Sequence, residues 1–185
     1  MERMKFDPNG AIPDNGNYFG IPLEPEDAAL VLISAPWDAT VSERAGSSYA
    51  PDAIIEASRG VDFFEPMAPY TWRKGIATAP IDYSIQDMSH RLRADAERVI
   101  KAYQNNSSAM EGLVYERRLR RVNEASEVVN ANIYEQALQW LAKGKIVGLV
   151  GGDQSTAYGA IRAVAEHHTS IGILHIDSTC DLREQ

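Results

Sequence analysis

The sequence predicts an α/β fold organised on a parallel sheet. Three observations carry that prediction. Short apolar runs stand at 28–34, 145–150 and 170–177. Each is apolar on consecutive rather than alternate residues, the pattern of a strand buried on both faces. Stretches with helical spacing lie between them. The length of 185 residues, 44% hydrophobic and 24% charged, suits one domain of about 100–200 residues with an ordinary core.

The elements follow in order. Residues 1–27 are rich in Pro, Gly, Asn and acidic side chains and lack periodicity, so they read as an arm lying on the domain or on a neighbouring subunit. The domain itself is expected over 28–185. Ala28-Ala29-Leu30-Val31-Leu32-Ile33-Ser34 reads as a central strand that stops at Ala35-Pro36. After a polar stretch at 37–49, Pro51 suits the first turn of a helix over 52–59, which Gly60 ends. Gly75-Ile76-Ala77-Thr78 is a weak strand, and Ile81-Asp82-Tyr83 an extended exit. Helical spacing returns near Ser89 through Leu92, Ala96, Val99, Ile100 and Tyr103, and Asn105-Asn106-Ser107-Ser108 breaks it. A long amphipathic helix is predicted over 119–143, with Val122, Ala125, Val129, Ile133, Ala137, Leu138 and Leu141 as its buried stripe. The run at 145–150 is a strand, and Gly151-Gly152-Asp153-Gln154-Ser155 a tight turn. A helix over 156–167 follows, with Ser155 as its expected N-cap. The run at 170–177 would close a right-handed βαβ crossover.

Composition excludes several classes. A net charge of −8 argues against general binding to nucleic-acid phosphates. No stretch approaches the ~20 apolar residues of a membrane span. The opening Met-Glu-Arg-Met-Lys-Phe-Asp-Pro has no apolar segment of a secretory leader. Cys180, the single cysteine, leaves no disulfide framework within the chain and no multi-cysteine zinc site. The expectation is an acidic, soluble, cytoplasmic protein.

Two strand ends could carry chemistry. Gly151-Gly152-Asp153-Gln154-Ser155 stands where ligands bind in open α/β sheets, beyond the carboxyl ends of the strands. The same glycines serve a plain strand-to-helix turn equally well. No Lys-Ser/Thr follows, so a Walker loop is excluded. In extended chain, Asp177, Thr179 and Asp181 share one face. Two carboxylates and a hydroxyl there suit a hard cation, or are a pair of solvated strand-end aspartates. Cys180 falls on the opposite face and reads as a packing residue. His175, deep in the apolar run, reads as a core histidine. His167 and His168 complement a helix dipole. Arg117, Arg118, Arg120 and Arg121, with Glu111, Glu116 and Glu124 nearby, read as a solvated helical turn.

Together the strand-end motifs resemble the arginase–agmatinase, or ureohydrolase, family, in its agmatinase-like branch. The family's Gly-Gly-Asp-His-Ser is similar to Gly151-Gly152-Asp153-Gln154-Ser155. Its Asp-Ala-His-x-Asp is similar to Asp177-Ser178-Thr179-Cys180-Asp181, with Leu182-Arg183 after it. A softer match, Gly46-Ser47-Ser48-Tyr49-Ala50-Pro51 leading into Ala53-Ile54-Ile55-Glu56-Ala57-Ser58, resembles the family's Gly-x-x-x-x-Pro-x-x-Ile-Arg-x-Ala-Ser segment. The likeness runs from about residue 28.

The resemblance implies a three-layer, parallel-sheet α/β fold, two Mn²⁺ ions at the strand ends, and a bridging hydroxide that attacks a guanidinium or amidine carbon. Two metals acidify one water enough to make it a nucleophile at neutral pH. By position, Asp177 matches a bridging metal ligand, and Asp181 matches a ligand that also orients the hydroxide. Gln154 and Thr179 occupy the two positions where the family places histidine ligands. Amide and hydroxyl oxygens are weaker Mn²⁺ donors than imidazole. The family's later Ser-x-Asp-x-Asp-x-x-Asp-Pro segment, its proton-shuttling histidine and its substrate-anchoring glutamate are not among these residues. The resemblance therefore implies the first portion of a larger α/β domain, a guanidino or amidino substrate such as agmatine or arginine, and a homo-oligomer. It also leads to the expectation that this chain cannot assemble the dimetal centre and is inactive alone. A non-catalytic ureohydrolase-like subunit acting through association is the alternative. An unrelated module using Asp177 and Asp181 for Mg²⁺ and a phosphorylated ligand fits the three ordered matches poorly.

Overall fold

The computed structural model describes residues 6–42, 44–105 and 112–178. Its core is a three-stranded parallel sheet in the order β2-β1-β3, from β1 (Leu30–Ser34), β2 (Ile76–Thr78) and β3 (Ile146–Val150). Leu30 lies opposite Ile76 on one side and Ile146 on the other, and the β1–β3 ladder runs to Ser34 opposite Val150. The helices are α1 (Ala50–Ser58), α2 (Tyr83–Gln104), α3 (Leu113–Ala142) and α4 (Ala157–His167). The α/β class and parallel pairing are those predicted.

Alternation along β1 separates its two faces. Val31 and Ile33 are fully buried against Ala137, Trp140 and Leu141 of α3 and Ala163 of α4. Ser34, of opposite parity, meets the Tyr18 hydroxyl at 2.8 Å. Tyr18 belongs to the amino-terminal arm, whose backbone is tied to Thr78 and Ser58 through the N–H groups of Tyr18 and Phe19. Tyr18, Gly20, Ile21 and Pro25 are buried, so this arm packs on the strands as well as on the surface. Further along β1's exit, Ala35, Trp37 and Ala39 pack with Ile85 and Leu92 of α2 and Ala125, Val129 and Ile133 of α3.

The buried stripe of α3 is the predicted one, with Leu138 half-buried and the rest inside. The helix starts earlier than its spacing indicated, at Leu113. α2 also starts earlier, at Tyr83, because the Asp82 side chain accepts from Ser84 N at 3.0 Å and caps it. α4 crosses α3 closely at Gly159. A Cβ there would lie 2.3 Å from the Asn130 carbonyl oxygen, so a glycine is needed. The Gly159 N–H donates to Asn130 Oδ1 at 2.8 Å and fixes the crossing.

Three expectations are corrected. The run at 170–177 forms no strand: residues 170–178 are exposed, with Leu174 at 85% and Ile176 at 86%. A strand apolar on both faces is held by neighbouring ladders and covering layers, and none of the described strands pairs with it. The βαβ crossover over 145–177 is therefore not closed. His175 is accordingly no core histidine; its side chain is about half exposed. Finally, Asp153 rather than Ser155 caps the turn before α4. No described helix is long and apolar enough to cross a membrane.

Candidate functional site

The carboxyl ends of β1 and β3 emerge side by side. The Ala35 N–H donates to the Val150 carbonyl at 3.0 Å, and the Asp153 N–H donates to that of Trp37 at 2.8 Å. Between those bonds the chain turns through Gly151 (φ +87°) and Gly152 (φ +80°), both in the left-handed region. There is no room for larger residues. A Cβ on Gly151 would stand 2.7 Å from Pro51 Cδ, and one on Gly152 would stand 2.7 Å from the Ala35 carbonyl oxygen. Gly152 also donates its N–H to the Ser47 carbonyl at 3.3 Å. The segment containing Gly46 and Pro51 thus packs directly on the diglycine turn, and two of the three sequence motifs share one place.

Asp153 is the knot of this turn. Its Oδ2 accepts from the Thr40 N–H at 3.1 Å and the Thr40 hydroxyl at 2.5 Å. Its Oδ1 accepts from the Ser155 N–H at 3.1 Å and the Ser155 hydroxyl at 2.6 Å. Four donors, two of them backbone, hold the carboxylate as a cap that locks the β1 exit to the β3 exit.

Asp38 is a second buried carboxylate at the β1 exit, and sequence reasoning passed over it. It is 3% exposed. Oδ2 accepts the Gly46 N–H at 2.6 Å and Oδ1 accepts the hydroxyl of fully buried Ser89 at 2.9 Å. In return the Asp38 N–H donates to Ser89 Oγ at 2.9 Å. Burial alone would push this carboxyl up, but the bonds from Gly46 and Ser89, with Ser48 beside them, outweigh it and hold it below its ordinary value. The sequence signal was available: an acidic residue two positions beyond the Pro that ends an apolar strand. On the arm side, burial raises the Tyr18 phenol above its usual range, partly offset by its bond to Ser34.

A hydrogen bond joins the two motifs among the described residues. Gln154 Nε2 donates to Asp177 Oδ2 at 2.8 Å. The Ser178 hydroxyl donates to Asp177 Oδ1 at 3.2 Å, and His175 Nε2 stands 3.8 Å from Oδ2. Thr179, Cys180 and Asp181 lie outside the described residues. Of the four-arginine turn, read as solvated, Arg118 and Arg121 instead reach Asp95 of α2 at 3.3 and 2.7 Å, joined by Arg98 at 3.8 Å.

The described residues do not by themselves make a site for two Mn²⁺ ions. Among the described residues no three His, Cys, Asp or Glu side chains gather closely enough to hold a metal. Gln154 presents an N–H, not an oxygen, to Asp177, and Asp153 is committed to Thr40 and Ser155.

Comparison with known proteins agrees with the family resemblance. The Arginase family model matches residues 28–185. The N(1)-aminopropylagmatine ureohydrolase of Thermus thermophilus is 26% identical over 161 residues, covering 85% of this chain and 41% of that protein. The agmatinase of Bacillus subtilis is 25% identical over 158 residues, covering 85% and 42%. The agmatinase of Bacillus anthracis is 23% identical over 159 residues, covering 86% and 42%. The chain spans about two fifths of the length of these curated relatives. No solved structure gives a significant match.

Proposed function

The chain belongs to the arginase family, and on that premise we propose that it supplies the first strand ends of a ureohydrolase site but does not hydrolyse a guanidine by itself. The substrate class is a guanidino or amidino cation of the agmatine or arginine kind, in keeping with relatives named for agmatine and aminopropylagmatine. Asp177 and Asp181 are the carboxylates retained from the family's ligand set, with Asp181 at the position whose family counterpart orients an attacking oxygen. Gln154 and Thr179 are the positions at which that set is degenerate.

One observation carries the reading. Gln154, at a histidine ligand position, donates its amide N–H to the very carboxylate that would bridge the metals, at 2.8 Å. An imidazole would present a lone pair to Mn²⁺ at that position, whereas an amide N–H presents none. Accordingly no hydrolytic step is assigned to these residues. The test is urea release from agmatine, arginine and guanidine by the purified chain with Mn²⁺ added. No release above the buffer rate is expected; steady multiple turnover would overturn the proposal.

A second reading, a non-catalytic subunit acting through association in a homo-oligomer, is favoured by the exposed apolar run Ile171, Ile173, Leu174 and Ile176 beside a sheet whose described strands end at β3. Sedimentation at several concentrations tests the second reading, which a chain that stays monomeric throughout would overturn. In either case we place the chain in the cytoplasm, off membranes and nucleic acid.

A further inference from the structure

We infer that Gln154 and Asp177 form a metal-independent clasp: the amide joins the turn after β3 to the Asp177 carboxylate in place of a divalent cation. The inference rests on reading both as metal-ligand positions of the family and goes beyond it by assigning them a job that remains without the ions.

The geometry supports the clasp from both sides. Gln154 opens a tight helical turn directly after Asp153, whose carboxylate is tied to Thr40 and Ser155. Its backbone is therefore fixed to the ends of β1 and β3, and only its side chain reaches outward. From there Nε2 meets Asp177 Oδ2 at 2.8 Å, while Ser178 serves Oδ1 at 3.2 Å. Both of these donors are neutral, and His175 Nε2 stands 3.8 Å from Oδ2. A hydrogen bond from an amide to a carboxylate is charge-assisted on the acceptor's side alone. A cation arriving here would have to displace that N–H and turn the amide over. It would then gain a neutral carbonyl oxygen, a weaker donor for Mn²⁺ than imidazole.

Magnetic resonance of the full chain, with the Gln154 side-chain amide assigned, tests this. Replacing Asp177→Asn is expected to move the Gln154 Hε signals clearly upfield, and Gln154→Ala to shift the Asp177 carboxylate carbon. Equimolar Mn²⁺ is expected to leave residues 153–155 and 177 unbroadened in the unaltered chain. The double change Gln154→His with Thr179→His should raise Mn²⁺ affinity at least tenfold by calorimetry. Unmoved Gln154 signals in Asp177→Asn, or paramagnetic loss of the 153–155 and 177 signals at equimolar Mn²⁺, would overturn the clasp. Because the readouts are resonance positions and metal affinity, they stand apart from urea release: the chain could fail the activity test and still show the clasp, or the reverse.

Discussion

Replacing Asp38→Asn removes one charge from the β1 exit while keeping the side chain's shape. The amide has a single oxygen. Turned toward the Gly46 N–H, which approaches to 2.6 Å, it leaves its NH₂ facing Ser89. Ser89 Oγ can accept that NH₂ alongside the Asp38 N–H at 2.9 Å, but its own proton then loses the carboxylate. One charge-assisted bond becomes neutral, at a cost of about 1 kcal/mol, and a hydroxyl proton is stranded in a fully buried site, at about 1–2 kcal/mol. The expected loss is about 2–3 kcal/mol at pH 7, read by urea denaturation with tryptophan fluorescence. The pH dependence adds a signature. The folded carboxyl titrates below its ordinary value, so its contribution is present above the unfolded pKa of about 3.9 and is lost as pH falls through the folded one. The gap between the unaltered chain and Asp38→Asn should therefore close as pH falls below about 3.9. A gap under about 0.5 kcal/mol at pH 7, or one that is the same at pH 7 and pH 3, would refute the reasoning.

Two further outcomes are expected. Gly152→Ala combines a left-handed alanine, about 1–2 kcal/mol, with contact against a backbone oxygen that cannot swing aside. At about 2–4 °C per kcal/mol for a chain of this size, a total of about 3 kcal/mol lowers the melting temperature by roughly 10 °C; a drop under about 2 °C by calorimetry would contradict the packing. Tyr18→Phe deletes the bond to Ser34 and should cost about 1–2 kcal/mol. The buried phenol's folded pKa is raised, so its contribution is complete below the unfolded value of about 10 and is lost as pH rises through the folded value. The unaltered chain should therefore lose its advantage over Tyr18→Phe above about pH 10, and a constant difference in denaturation midpoint there would speak against that burial.

Much of the fold was legible because apolar spacing reports burial directly. The stripe from Val122 to Leu141 names the face of α3 that meets Val31 and Ile33, and the runs at 30–34 and 146–150 pair in parallel as read. Caps were less legible. Asp82 and Asp153 start their turns by bonding serine N–H groups two residues on, and the sequence offers several acidic or hydroxyl residues that could do the same. The 170–177 run was misread for a physical reason: apolar content states what a segment would bury, but burial needs a partner surface that the segment cannot specify. His175 was misplaced along with it. At the site, Gln154 and Asp177 were named from motif positions, but their hydrogen bond was not foreseen, and Asp38 was missed because its partners lie 8 and 51 residues away.

By itself the sequence determined the α/β class, the parallel strands, the stripe of α3 and the likeness of its motifs to the family's. These are properties of local pattern: hydrophobic period, glycine at a sharp turn, and side-chain donor chemistry at a motif position. Only the tertiary structure decided that Asp153 locks two strand exits through Thr40, that Asp38 is held by Gly46 and Ser89, and that Gln154 reaches Asp177. Each joins residues distant in the chain, and a hydrogen bond depends on approach to within about 3 Å and on direction, which spacing along a sequence does not encode.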